Sequence, residues 1–225
     1  MANKKAFITG ISGQDGAYLA MHLLKKGYEV IGGGRNIQGD SIWRLKELGL
    51  LSQIKIIPFE LLDEKQINNA IVNGKFSEIY NLAAKSFVGH SYDTPLATSN
   101  INALGVVRIL EAIRKYKPDC KFYSAGSSEE FGDVSYCPQD INHPIRPRSP
   151  YGASKASARH NVKVYRESYN LYAVHGILFN HEGTKRGEEF VTRKISMGVA
   201  RIHNAISKNL PFDPIELGNL DAKRD

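Results

Sequence analysis

Residues 4–27 read KKAFITGISGQDGAYLAMHLLKKG, and this stretch decides the fold. Residues 4–9 are a short apolar run of strand character. A glycine turn follows at once, with Gly10, Gly13 and Gly16 three residues apart. Residues 17–26 carry the spacing of an amphipathic helix, closed by Gly27. Strand, glycine turn and helix in immediate succession form the first unit of a dinucleotide-binding fold. The first glycine allows a tight turn. The others let backbone and helix approach a pyrophosphate, which is drawn to the positive end of the helix. Gly10, Gly13, Gln14, Asp15 and Gly16 are therefore the first candidates for cofactor contact.

A second strand is expected over residues 29–32, followed by Gly33-Gly34-Arg35. In such folds this strand end faces the adenosine ribose, where an acid suits a 2′-hydroxyl and an arginine suits a 2′-phosphate. Arg35 favours NADP over NAD. Further strands are expected over residues 55–59, 78–82, 120–125 and 172–178, and helices over 64–73, 97–116, 151–169 and 189–207. Strands alternating with helices imply right-handed crossovers and a doubly wound parallel sheet of the Rossmann type.

A second constellation lies further along. Ser127 and Glu129 follow the strand at 120–125. Pro138 to Pro150 holds four prolines and leads into SPYGASK, in which Tyr151 and Lys155 lie one helical turn apart on one face. An ammonium beside a phenol favours the phenolate, so this pair can take a hydroxyl proton nearer neutral pH. Glu129 supplies a second base. Two plainer readings stand beside these. Tyr-x-x-x-Lys occurs by chance on surface helices, and Glu129, next to Glu130, reads equally as a solvated loop acid.

Composition sets the class. The chain has 225 residues, 42% of them hydrophobic and 24% charged, enough for one large domain with part of a second. Its net charge of +7 is scattered, without basic runs or interleaved aromatics. That suits a small anionic substrate rather than nucleic acid. Cys120 and Cys137 have neither metal-ligand nor disulfide-framework spacing. No secretory leader or long apolar run is evident, so the expected setting is cytoplasmic, with no membrane partner.

The segments ITGISGQDGAYLA, YNLAAKSFVGHS, FYSAGSSEEFG and PRSPYGASK resemble the extended short-chain dehydrogenase/reductases. GILFNHEGTKRGEEFVTRKI, residues 176–195, is similar within that group to the GDP-mannose 4,6-dehydratase family. The resemblance implies a hydro-lyase that uses NADP and converts GDP-mannose to its 4-keto-6-deoxy form. Ser127, Glu129 and Tyr151 would be catalytic, supported by Lys155. Cofactor contacts would include Glu60, Leu61, Leu82, Ala83, Ala84, Ser86, His181 and Arg186, besides the glycine turn, Arg35, Tyr151 and Lys155. Ser86, Ser127, Asn180, Val191 and Lys194 would hold the sugar nucleotide. A cofactor domain over residues 1–178, the start of a sugar-nucleotide region over 179–225, and a homo-oligomer (dimer or tetramer) are implied as well.

The sequence departs from the family at informative places. Ser127 replaces Thr, Lys85 replaces Gln, Glu60 replaces Asp, and Arg35-Asn36-Ile37-Gln38 stands where relatives have Arg-Arg-Ser-Ser. Family members continue past an Arg-Asp like Arg224-Asp225, so part of a substrate domain is expected to be missing. Two other readings remain open at this point. One is another nucleotide-sugar dehydratase, reductase or epimerase. The other is an idle nucleotide-binding remnant that serves as an assembly partner.

Overall fold

A computed structural model describes residues 4–35 and 37–221. Asn36 and the closing residues 222–225 lie outside the described residues. By its internal contacts the chain divides into two compact units, Met1–Leu178 and Phe179–Asp225.

In the first unit, six strands form one parallel sheet: β1 (Lys5–Thr9), β2 (Glu29–Gly34), β3 (Lys55–Pro58), β4 (Glu78–Asn81), β5 (Lys121–Ala125) and β6 (Ala173–Gly176). Their order is β3-β2-β1-β4-β5-β6. The order reverses between β1 and β4, and it is there that a doubly wound sheet opens a crevice at its carboxyl edge. Right-handed crossovers running in opposite directions from that point place helices on opposite faces. α1 (Gln14–Lys25) and α2 (Trp43–Glu47) pack Ala17, Ala20, Leu23 and Leu45 against Ala6, Ile8 and Val30. On the other face α3 (Glu64–Gly74) and the helices before β5 and β6 enclose Phe7, Phe76, Ile79 and Phe122. Phe7 stacks on Phe76 at 4.7 Å and meets Phe59 edge-on at 5.0 Å.

The expected elements are present, with shifted limits. α1 begins at Gln14, three residues ahead of the apolar periodicity, because Gly13 serves as its N-cap in extended conformation. After a short α4 (Val88–Asp93), the expected helix over residues 97–116 is a run of three segments: α5 (Pro95–Ser99), a π-helical stretch Asn100–Leu104, and α6 (Gly105–Tyr116). By length and hydropathy alone, Pro95–Tyr116 could pass for a membrane span. Its residues Val106, Ile109, Leu110 and Ile113 are buried against the sheet. α7 (Pro150–Ser168) starts as its sequence dictates, with Ser149 Oγ accepting from Gly152 N–H at 3.0 Å and Pro150 in the first turn.

The second unit holds α8 (Val191–Ser207), an amphipathic helix with no buried residue. Gly198 on this helix packs beneath Ile215 of the segment that follows.

Candidate active site

The carboxyl edge of the sheet carries a cleft of about 530 Å³ in the first unit. Four glycines open it: Gly10 and Gly13 after β1, and Gly33 and Gly34 at the end of β2. Gly10 has φ +68°, and a Cβ there would come within 2.9 Å of Ala83 N, so only glycine brings the turn this close to the end of β4. Its N–H donates to Gly33 O at 3.0 Å, and Gly13 N–H donates to Gly10 O at 3.0 Å. Thr9 Oγ1 donates to Asn81 Oδ1 at 2.8 Å and accepts Ala83 N–H at 3.1 Å. Those two bonds tie β1 and β4 together beneath the cleft.

Among the expected cofactor residues, Gly10, Gly13, Arg35, Glu60, Leu61, Leu82, Ala83, Ala84 and Ser86 line this cleft. Gln14, Asp15 and Gly16 form the first turn of α1 beside it. The cradle fits a dinucleotide: its wall lacks side chains at the glycines, a helix N-terminus ends there, and the buried Gln14 Oε1 has no hydrogen-bond partner among the described residues. Arg35 lies mostly exposed at the cleft with its Nε 3.8 Å from Glu60 Oε2. Arginine and acid thus share the position expected to meet the adenosine ribose.

Lining residues that the sequence did not single out are Ser12, Ser41, Phe59 and Ile101. Asn102 was also missed. It is buried in the π-helical stretch, where its amide accepts Lys85 N–H at 2.9 Å and donates to Lys85 O at 3.1 Å and Ser154 Oγ at 3.1 Å. Asn102 clamps the 82–86 wall of the cleft to α7. π-Helical bulges recur at functional sites, but nothing local in the sequence announces this one.

The two elements that carry the four candidate catalytic residues meet. Ser127 caps a single 3₁₀ turn, Ser128–Glu130, its Oγ accepting Glu129 N–H at 3.2 Å. Tyr151 and Lys155 are 8% and 6% exposed, which a surface helix would not give. Lys155 Nζ donates to Ala125 O at 2.7 Å, two residues before Ser127, and sits 5.8 Å from the centre of the Tyr151 ring. The start of α7 presses on the turn: a Cβ at Gly152 would lie 2.5 Å from Glu129 O. The side chain of Glu129 is exposed, whereas that of Glu130 is buried. Burial pulls the Lys155 ammonium down to about 8, opposed by the Glu130 carboxylate. At neutral pH the cation persists, and its hydrogen bond aims it at the end of β5.

The remaining candidates belong to the second unit. Asn180 and His181 are exposed, with His181 Nδ1 2.7 Å from Phe179 O. Arg186 pairs with Glu182 at 3.1 Å and lies over the Phe190 ring at 3.5 Å. Val191 and Lys194 occupy the first turn of α8, both exposed.

A family model described as GDP-mannose 4,6 dehydratase matches residues 7–225. A GDP-mannose 4,6-dehydratase of Vibrio cholerae is 43% identical over 99% of this chain, and the human one is 43% identical over 98%. The chain spans 60% of the length of each of these curated relatives. Among solved structures, a dTDP-glucose 4,6-dehydratase from Streptomyces venezuelae with NAD bound superposes with a TM-score of 0.78 at 19% identity, over 88% of this chain and 62% of that one. A Thermus thermophilus UDP-glucose 4-epimerase in complex with NAD gives 0.76 at 25% identity, over 92% and 64%. The structural likeness establishes the Rossmann-type fold. The match across residues 7–225, at more than two fifths identity to enzymes of one activity, makes this chain a member of the GDP-mannose 4,6-dehydratase family.

Proposed function

We propose that the chain carries the cofactor site and catalytic centre of an NADP-dependent GDP-mannose 4,6-dehydratase, a cytoplasmic enzyme working as a homo-oligomer. The observation that carries this reading is the convergence of Tyr151 and Lys155 with the Ser127–Glu129 turn, in a chain of this family. Gly10, Gly13, Arg35, Glu60 and the 82–86 wall would hold NADP, whose nicotinamide, when bound, supplies the acceptor and donor for moving hydride from C4 to C6 of the sugar. Tyr151 takes the proton of the 4-hydroxyl as C4 becomes a ketone, with Lys155 stabilising the phenolate. Ser127 orients the 4-oxygen. The ketone acidifies C5–H. Glu129 takes that proton and gives one to the departing 6-hydroxyl, which leaves as water. As hydride reaches C6, Tyr151 gives its proton to C5, so the products are GDP-4-keto-6-deoxymannose and one water, with the cofactor and all three side chains returned to their starting states.

A reductase or epimerase has no need of the second base, so Glu129 discriminates among the readings. Incubation with GDP-mannose and NADP should yield a 4-keto-6-deoxy sugar, detected by its absorbance in alkali. Glu129→Gln should lower that yield at least about 100-fold while leaving NADPH binding unchanged. Full activity in this variant would remove Glu129 from its role. NADP binding without turnover of any sugar nucleotide would favour the idle remnant.

A further inference from the structure

Beneath the catalytic turn lies a buried acid that the mechanism does not use. Glu130 is 0% exposed. Its Oε1 accepts Ser127 N–H at 2.9 Å and lies 2.8 Å from Nε2 of His175, whose side chain is 5% exposed on β6. Space for the pair exists only because position 126 is glycine. A Cβ there would stand 2.5 Å from Glu130 Oε1 and closer still to His175 Nε2. The pair is unfinished: Glu130 Oε2 and His175 Nδ1 are buried without hydrogen-bond partners among the described residues.

Burying a carboxylate costs several kcal/mol, and apolar residues of like volume often serve stability as well or better. A capping-box acid ordinarily faces solvent at a helix start and needs no histidine beneath it. An incomplete buried polar pair calls for an explanation other than packing. Its contacts supply one. Glu130 holds the backbone of Ser127, and its charge acts on Lys155, whose Nζ is bonded one residue before Gly126. His175 from β6 bonds Glu130, and Lys155 from α7 feels its charge.

We propose that Glu130, paired with His175, is a positioning residue for the reaction: it fixes the turn that presents Ser127 and Glu129 and lends its charge to the Lys155 ammonium bonded at Ala125 O beside that turn. The reaction half of this inference rests on the function proposed above. The Lys155 half does not.

The test is Glu130→Gln in the full chain. The amide keeps the shape and the acceptor for Ser127 N–H and removes the charge. We expect kcat on GDP-mannose to fall about tenfold or more, with KM and the Kd for NADPH within about twofold. In ¹³C-lysine-labelled protein, with the Lys155 signal identified by its loss in Lys155→Met, the Lys155 midpoint should move about one unit lower in Glu130→Gln. An unmoved Lys155 midpoint, or an unchanged kcat, in folded Glu130→Gln overturns the proposal. Should wild-type chain turn over no sugar nucleotide, the functional reading fails and the Lys155 titration alone decides. If Glu130→Gln does not fold, His175→Phe keeps the volume and removes the partner. A tenfold fall in kcat at constant KM then supports the pair, and wild-type kcat overturns it.

Discussion

At the scale of single residues, the site is a set of charges placed where burial opposes them. Lys155 is the clearest case. Its ammonium is drawn down to about 8 from 10.5, chiefly by burial. Between those values the unfolded chain binds a proton that the folded chain does not, so stability rises with pH across this window and is flat on either side. A shift of this size corresponds to roughly 3 kcal/mol. Urea denaturation of wild type at pH 8 and pH 10.5 should therefore show a gain that Lys155→Met lacks. Equal pH dependence in the two proteins would mean that the amine is solvated in the folded state. Arg35 poses the opposite situation, an exposed cation whose guanidinium is shared with Glu60 at 3.8 Å. If it receives a 2′-phosphate, Arg35→Ala should weaken NADP about tenfold and NAD hardly at all, by fluorescence titration of the reduced forms. Equal loss for both cofactors would assign Arg35 a role in orientation alone.

Between residue and molecule, the elements hold the site by a few buried cross-links. Asn102 joins three partners from the interior of the interrupted helix. Asn102→Ala would strand the Lys85 amide and carbonyl, while the Ser154 hydroxyl keeps its bond to Tyr151 O at 2.7 Å. The expected cost is about 3 kcal/mol in chemical denaturation, with weakened NADPH binding because the 82–86 wall loosens. A cost below about 1 kcal/mol would show that water replaces the amide. A second cross-link joins α6 to α7. Glu111 accepts two bonds from Arg114 at 2.9 Å and one from Tyr165 at 2.7 Å, which hold it at about 2, below its ordinary 4.5. A lowered carboxyl contributes stability above 4.5 and loses it toward 2. Glu111→Gln should thus unfold about 1 kcal/mol more easily at pH 7 and match wild type near pH 2, by urea titration. These devices mark the limit of what sequence discloses. The glycine turn, the Ser-Pro start of α7 and the alternation of apolar runs are local signals, so fold and cleft were legible from them. Asn102 and the Glu130–His175 pair depend on residues 17 to 52 and 45 positions apart. The π-helical stretch and Ser41, Phe59 and Ile101 in the cleft likewise acquire meaning only once the sheet brings distant segments together.

The molecule as a whole divides its labour unevenly. Both buried clusters lie between Ala6 and Ala173, and the residues of α8 are all at least partly exposed. The first unit therefore holds the apolar interior that drives folding, while the second carries Asn180, His181, Arg186, Val191 and Lys194, expected on family grounds to touch ligands. Parallel sheets are ordinarily covered on both faces, yet Tyr172 and Val174 beside β4–β6 are exposed along a groove that also takes in Tyr80 and Tyr123. A chain ended after Leu178 keeps every strand and the bond from Ser128 N–H to Leu178 O at 2.8 Å. It should unfold in one cooperative step with a midpoint within about 5 °C of the full chain, since both apolar clusters lie in the first unit. Loss of cooperativity would show that the second unit is part of the folding core. Ligand binding separates the remaining roles. If His181 and Arg186 reach the cofactor, the shortened chain should bind NADPH roughly tenfold more weakly than the full chain. Equal affinity would confine cofactor recognition to the glycine-lined cleft and leave the second unit to the sugar nucleotide alone.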